Sequence, residues 1–270
     1  MDKNIIMVIA RYNEKLEWLK EEPFNKYKAI VYNKGPNTNF ETHNVIKIIQ
    51  LKNVGRENHT YFYHIITNYN KLHDITLFFP GSINVPHKKD KAVKLIKSIE
   101  SEKNTVFIVD LYCYNLKFFG YNTRIQEYKT TTKDNQKIND KSLVTPAKIN
   151  PYGKWLENKF PNNKRHKYLT FHCILGLSKK DILKNSVKYY LKYYRELNKS
   201  INPEEGFYVE STWSNILNID KPIIKYPGIK YYYNYLKFSI KTHYKNTIKI
   251  ILIITCIIIF ILYIIIKKII

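Results

Sequence analysis

From Ile250 to Ile266 the chain runs seventeen residues without a charge, and nothing else in it restricts the fold as strongly. As a helix this stretch is about 25 Å long. That approaches the hydrocarbon thickness of a bilayer once Ile248 and the aliphatic stems of Lys249 and Lys267 are included. Each Ile or Leu at that depth favours insertion by roughly 0.3–0.6 kcal/mol. The polar Thr255 can bond back to its own helix. A core helix would need more chain to cover it than the four residues that follow. The sequence therefore predicts a transmembrane anchor over 249–267, preceded by a basic juxtamembrane segment over 229–248.

Met1–Arg11 carries no cationic start followed by a long apolar region and a cleavage site, so no signal peptide is expected. Lys230, Lys237, Lys241, Lys245 and Lys249 precede the run, and only Lys267 and Lys268 follow it. That asymmetry predicts a single-pass, tail-anchored protein with its N-terminal part in the cytosol. Lys267-Lys268-Ile269-Ile270 looks like a dilysine retrieval signal, which would need a cytosolic tail. Under this orientation the two lysines are read as flanks that stop the helix.

The net charge of +23 raises the question of nucleic acid. The charge is spread along the chain, with no arginine-rich cluster, zinc-finger spacing or aromatic RNA-binding signature, so no specific nucleic-acid partner is expected. An anionic bilayer surface fits it better, at about 1 kcal/mol per juxtamembrane lysine. Cys113, Cys173 and Cys256 are odd in number and widely spaced. Neither a disulfide framework nor a metal knuckle follows.

Asn4–Ala10, Ala29–Tyr32, Val45–Leu51, Asp74–Phe79 and Thr105–Asp110 read as strands. A helix opened by Asn53–Glu57 and a second over Lys88–Glu102 alternate with them. The second carries Ala92, Leu95, Ile96 and Ile99 on one face. Such alternation predicts an α/β domain over 1–228 with a mostly parallel central sheet flanked by helices. A polar stretch over 121–150 interrupts it as a long loop. Ser178 and Asp181 form a capping box that starts a helix expected to run through Leu197, and another helix is expected over Glu205–Leu217.

In parallel α/β sheets ligands bind at the carboxyl ends of the strands. Three polar groups fall there: Arg11-Tyr12-Asn13-Glu14, Gly55-Arg56-Glu57 and Ser82 to His87. A helix start with a glycine and an arginine beside it suits a phosphate or pyrophosphate, while caps and surface turns are the plainer reading. No three histidines share a ligand spacing, so no metal triad is predicted. His59 near a helix start reads as a packing residue, with substrate contact as the alternative. No nucleophile elbow is present.

The segments ARYNE-x-x-x-W (Ala10–Trp18), VYNKG (Val31–Gly35), LKNVGRENHTYFYHIITNY (Leu51–Tyr69) and DITLFF (Asp74–Phe79) together resemble the domain of unknown function 3431 family. So does the late stretch LSKKDIL…YYLKYY…NPEEGFYVESTW (Leu177–Trp213). The layout is in turn similar to the glycosyltransferase A-type fold. That resemblance implies nucleotide binding by Arg11, Asn13, Glu14 and Arg56. It also implies a general base in Glu210 and substrate contacts from Trp213 and His59. Metal-dependent members of that fold carry Asp-x-Asp after the fourth strand, whereas this chain reads Phe79-Pro80-Gly81-Ser82. Asp110 has Tyr112 at its i+2 position. A divalent metal is therefore doubtful, and Arg and Lys would have to stabilise the leaving diphosphate. The late motif departs as well, with Phe207 and Ser211 where histidine and arginine are expected. The resulting expectation is a membrane-anchored, glycosyltransferase-like enzyme moving a sugar from a nucleotide donor to a glycan or protein acceptor. The alternative is a non-catalytic tail-anchored interaction protein that keeps a nucleotide- or carbohydrate-binding fold.

Overall fold

A computed structural model describes residues 4–112, 144–161, 168–219 and 223–239. The first half alternates strands and helices: β1 (Ile5–Arg11), β2 (Lys28–Asn33), β3 (Val45–Gln50), α1 (Arg56–Thr67), β4 (Ile75–Pro80), α2 (Pro86–Glu102), β5 (Val106–Ile108) and β6 (Leu111–Tyr112). After them come α3 (Tyr152–Lys159), β7 (Tyr168–Leu169), β8 (Leu175–Ser178), α4 (Lys179–Ile182), α5 (Val187–Leu197), α6 (Glu205–Ile216), β9 (Ile223–Lys225) and α7 (Ile229–Ser239).

Seven strands form one sheet in the order β3-β2-β1-β4-β8-β5-β9, while β6 and β7 pair separately. β3, β2, β1 and β4 are mutually parallel, as are β5 and β9. β8 runs antiparallel between β4 and β5. The chain enters β8 from residues 171–174, beside the carboxyl end of β5, so it can only run back against its neighbours. The sheet is thus mixed rather than uniformly parallel.

Alternate residues of each inner strand feed opposite sides, as strand geometry requires. Ile6, Val8, Ile30, Tyr32 and Phe78 pack with Tyr61, Phe62 and Ile65 of α1 and with Trp213 of α6. Met7, Ile9, Ala29, Val31, Leu77 and Phe79 pack with Ala92, Leu95, Ile96 and Ile99 of α2. Each Val, Leu, Ile, Phe or Met among them, removed from water, stabilises the fold by roughly 1.5–3 kcal/mol. Val8 lies opposite both Ile30 and Phe78. A one-residue slip there would exchange the two cores wholesale.

Two expectations need correction. The helix expected from Ser178 to Leu197 is two helices, each with its own cap. Ser178 Oγ accepts from the Asp181 N–H at 3.2 Å, and Ser186 Oγ from the Tyr189 N–H at 3.3 Å. Between them the Asn185 side chain donates to the Ile216 carbonyl at 3.1 Å, which anchors the break to α6. The second correction concerns the membrane. Among the described residues no helix is long and apolar enough to cross one. The closest in sequence to the expected anchor, α7, has 11 residues where about 20 are needed. The apolar stretch over 249–267 lies outside the described residues, as do 121–143 of the polar stretch. A transmembrane, tail-anchored architecture is therefore not supported, nor is the single-pass membrane location expected with it.

Candidate functional site

Because β1, β2 and β4 are parallel, the turns after them share one edge of the sheet. After β1, the Glu14 carboxylate folds back to accept the N–H groups of Tyr12 (2.8 Å) and Asn13 (3.1 Å). The turn after β2 docks against it through the Lys34 N–H, which donates to the Arg11 carbonyl at 2.7 Å. The approach is so close that a Cβ on Gly35 would lie 1.7 Å from the Tyr12 carbonyl oxygen. Arg11 is a buried spoke of this turn. Its Nε donates to the Glu14 carbonyl (2.7 Å), its Nη1 to Asn33 Oδ1 and the Asn37 carbonyl (both 2.6 Å), and its guanidinium lies 4.0 Å from the Phe40 ring centroid. Burial lowers its proton affinity, and the Glu14 charge partly restores it.

The entry to α1 faces this turn. Gly55 and Arg56 both adopt left-handed φ values, 64° and 52°. A Cβ at Gly55 would stand 2.6 Å from His59 Cβ and 2.7 Å from the Leu197 carbonyl oxygen. The Gly55 N–H donates to the Ser200 carbonyl at 2.8 Å. From β2, the buried Lys34 ammonium donates to the carbonyls of Val54 (2.6 Å) and Arg56 (2.5 Å), tying the curl shut. Burial pulls Lys34 down to about 7, with Glu57 opposing and Arg56 assisting. Arg56 is aimed by Asn202, whose Oδ1 accepts from Nη1 at 3.0 Å, and it lies 4.9 Å from the Phe207 ring centroid. Its Nε is 3.5 Å from Glu57 Oε2. Between the two turns opens a cleft of about 480 Å³ of empty space, part of it open solvent. Arg11, Tyr12, Glu14, Lys34, Arg56 and Glu57 line it.

Two more charged groups complete the edge. Lys88, in the first turns of α2, donates to Ser82 Oγ at 2.8 Å. Burial lowers its proton affinity against the pull of Glu57, Glu210 and Glu14. Glu210, on α6, accepts the backbone N–H of His172. Burial first, and then the Glu57 charge, push Glu210 up to about 7, with Arg56 and Lys88 opposing. Burial alone would also raise Glu57, but Arg56, Lys88 and Lys34 hold it below the usual carboxylate range. The two glutamates are therefore split, one anionic and one titrating near neutrality. Such a split is how an acid–base pair is set up.

Asp110 stands just beyond β5, at a strand end where an acid could serve a metal. It pairs instead with Lys91, which is fully buried, and accepts the Phe171 N–H at 2.6 Å. Among the described residues no three His, Cys, Asp or Glu side chains group as metal ligands. The turn that serves both Asp110 and Glu210 is strained. His172 and Cys173 have φ of 72° and 52°, a conformation costing an L-residue roughly 1–2 kcal/mol each.

Of the residues expected from sequence, Arg11, Glu14 and Arg56 line the cleft, and Glu210 belongs to the same charged group. The Asn13 side chain is not among the lining residues; its backbone N–H is taken by Glu14. Trp213 offers no ring face to a sugar. It is 0% exposed, stacks on Phe62 at 4.8 Å and donates from Nε1 to Asn58 Oδ1 at 2.9 Å. His59 is likewise a core residue, stacked on Tyr194 at 4.4 Å and held neutral by burial, its pKa pulled down to about 3. The sequence reading covers Lys34 in VYNKG and Glu57 in Gly55-Arg56-Glu57, and has Lys88 only as the first residue of the helix after Ser82 to His87, with no role for any of the three. The available signal was a charged residue within two positions of a strand end or helix start, repeated three times.

Compared with curated proteins and with solved structures, the chain has no significant match in either. The family described as "Protein of unknown function (DUF3431)" matches residues 6–226, most of the chain, and the protein belongs to that family.

Proposed function

We propose that the cleft binds the diphosphate end of a nucleotide sugar and that Glu210 accepts the proton of an acceptor hydroxyl, making the protein a glycosyltransferase. The observation that carries this reading is the meeting of Lys34, Arg56 and Lys88 with Glu57 and Glu210 at the carboxyl edge of the sheet, where α/β folds bind ligands. As the acceptor oxygen bonds to the sugar's anomeric carbon, the bond from that carbon to the diphosphate breaks. The nucleoside diphosphate leaves with the electron pair, and its charge is met by Arg56 and the neighbouring ammonium groups. The acceptor proton passes to the Glu210 carboxylate, whose affinity near neutrality suits a general base. Glu57, held anionic, keeps Arg56 and Lys88 charged and in place.

Thermal shifts of the protein with a panel of nucleotide sugars, with and without Mn²⁺, test the binding half of this reading. One donor should stabilise saturably, by about 2.7 kcal/mol at a hundred times its dissociation constant, and Arg56→Ala should abolish the effect. A well-folded protein that responds to no donor would refute it.

A further inference from the structure

Glu210 is tied to α7 by hydrogen bonds that pass through the strained turn at residues 171–173. α7 presents most of its side chains to solvent: Ile229, Tyr233 and Leu236 are 89%, 65% and 59% exposed, whereas Tyr231 is 2% exposed. Tyr231 therefore seats the helix. Asn234, whose Nδ2 donates to Asp90 Oδ2 of α2 at 2.7 Å, and Lys230, 3.5 Å from Asp90 Oδ1, hold it from outside. The Tyr231 hydroxyl donates to Asp110 Oδ1, leaving its oxygen free to accept from His172 Nε2 at 3.1 Å. That contact fixes the neutral imidazole with its proton on Nε2. The backbone of the same turn then serves both acids. The Phe171 N–H goes to Asp110 and the next N–H, of His172, to Glu210.

We propose that Tyr231 is a positioning residue for Glu210. By fixing Asp110 and the His172 ring, it holds the left-handed turn whose N–H orients the Glu210 carboxylate, so the docking of α7 governs whether that carboxylate can act as a base. This rests on the reading of Glu210 as the base, but the link itself is a property of the hydrogen bonds. The other charged or titratable groups facing Glu210 are Arg56, Glu57 and Tyr61 from α1, Lys88 from α2 and the Cys173 thiol of the turn itself, the phenol and the thiol both pushed up by burial and so neutral. None belongs to α7, so a change at Tyr231 reaches Glu210 through the turn.

The test is a carboxyl-carbon NMR titration of the full chain with labelled glutamate, Glu210 being assigned by its loss in Glu210→Gln. Tyr231→Phe keeps the ring, which stacks on Tyr235 at 6.0 Å and lies against His87 at 6.1 Å, and removes only the hydroxyl. A slackened N–H bond no longer favours the carboxylate. The Glu210 midpoint should therefore rise by about one pH unit, a tenfold change in proton affinity, while the loss of the hydroxyl's two hydrogen bonds lowers the melting temperature by only about 2–10 °C and leaves the protein folded. In a donor assay, KM should hold while kcat falls and its acid limb moves with the NMR midpoint. Asn234→Ala, which loosens α7 without touching the cluster, should shift Glu210 in the same direction by less. An unmoved Glu210 midpoint in Tyr231→Phe overturns the proposal and leaves the ring a packing residue. If the wild-type protein binds no donor, the transferase reading fails, yet the midpoint still decides whether Tyr231 positions Glu210.

Discussion

Replacing Trp213 separates a core residue from a carbohydrate platform. The side chain is fully buried and stacked on Phe62, and its Nε1–H donates to Asn58 Oδ1. The Asn58 amide cannot flip to compensate, because its Nδ2 already donates to the Gly206 carbonyl at 2.9 Å and to Cys173 Sγ at 3.3 Å. Trp213→Ala should therefore lose about 3–5 kcal/mol through the cavity, within which the orphaned carbonyl of Asn58 contributes on the order of 1 kcal/mol or more. In a domain of this size that lowers the melting temperature by roughly 6–20 °C. Trp213→Phe keeps the stack but not the donor and should lose about 1–3 kcal/mol. Urea unfolding, with midpoints compared at constant slope, measures both. A Trp213→Ala protein within about 0.5 kcal/mol of wild type, the range of an ordinary surface change, would refute the burial argument. If its only defect were a raised KM for a sugar donor, the platform expectation would return.

The buried Lys91–Asp110 pair gives a second prediction. Lys91→Met should destabilise by about 3–5 kcal/mol, and Lys91→Met with Asp110→Leu should recover only part of the loss in the same unfolding assay, because the Phe171 N–H and the Tyr231 hydroxyl lose their acceptor. At Gly55 an added methyl meets His59 and Leu197 and must sit at φ 64°. Gly55→Ala should cost about 3 kcal/mol and weaken anion binding in the cleft, as calorimetry with a nucleoside diphosphate would register. His59 and His64 are held to about 3 and His87 to about 4, all by burial. Below pH 6.5 the unfolded chain takes up these protons and the folded chain does not, so stability falls with pH by about 1.4 kcal/mol per unit for each. Glu210, raised to about 7, takes up its proton in the folded state first and offsets one of the three. His172, also held well down by burial, adds to these three, so the net loss between pH 6 and 5 should be at least roughly 3 kcal/mol per unit, and a flat stability profile there would contradict the burial of these rings.

β1, β2 and β4 were legible because they are continuous apolar runs buried on both faces, Asn4–Ala10 above all, whereas β3 reads the same way although, at the sheet edge, it leaves Ile46 and Ile48 exposed. α2 was legible from its single apolar face. Elements that depend on long-range partners were not. β9 has three residues, and its meaning comes from pairing with β5. α3 is anchored by Tyr152 and Trp155, which the sequence does not place against Tyr208 until the chain has folded. The antiparallel course of β8 follows from where the chain enters the sheet, a tertiary fact that no periodicity carries. In the site, Arg11, Glu14 and Arg56 could be read from turns at strand ends. The partners of Lys88 and Glu210 could not, because α1, α2 and α6 are brought to one edge only by the sheet. Trp213 misled for a related reason: an aromatic ring beside a motif looks alike in sequence whether it faces a ligand or the core, and for His59 it is the packing reading, not the substrate contact, that its burial agrees with.

The measurement closest to the central claim is the pH dependence of nucleoside diphosphate release from a nucleotide sugar, in wild-type protein and in Glu210→Gln. With Glu210 titrating near neutrality as the base, release should rise through an acid limb close to pH 7. The substitution should remove that limb and slow the rate by about 10²–10⁴-fold, while donor binding persists. Release at the wild-type rate and with the same acid limb in Glu210→Gln would contradict the account.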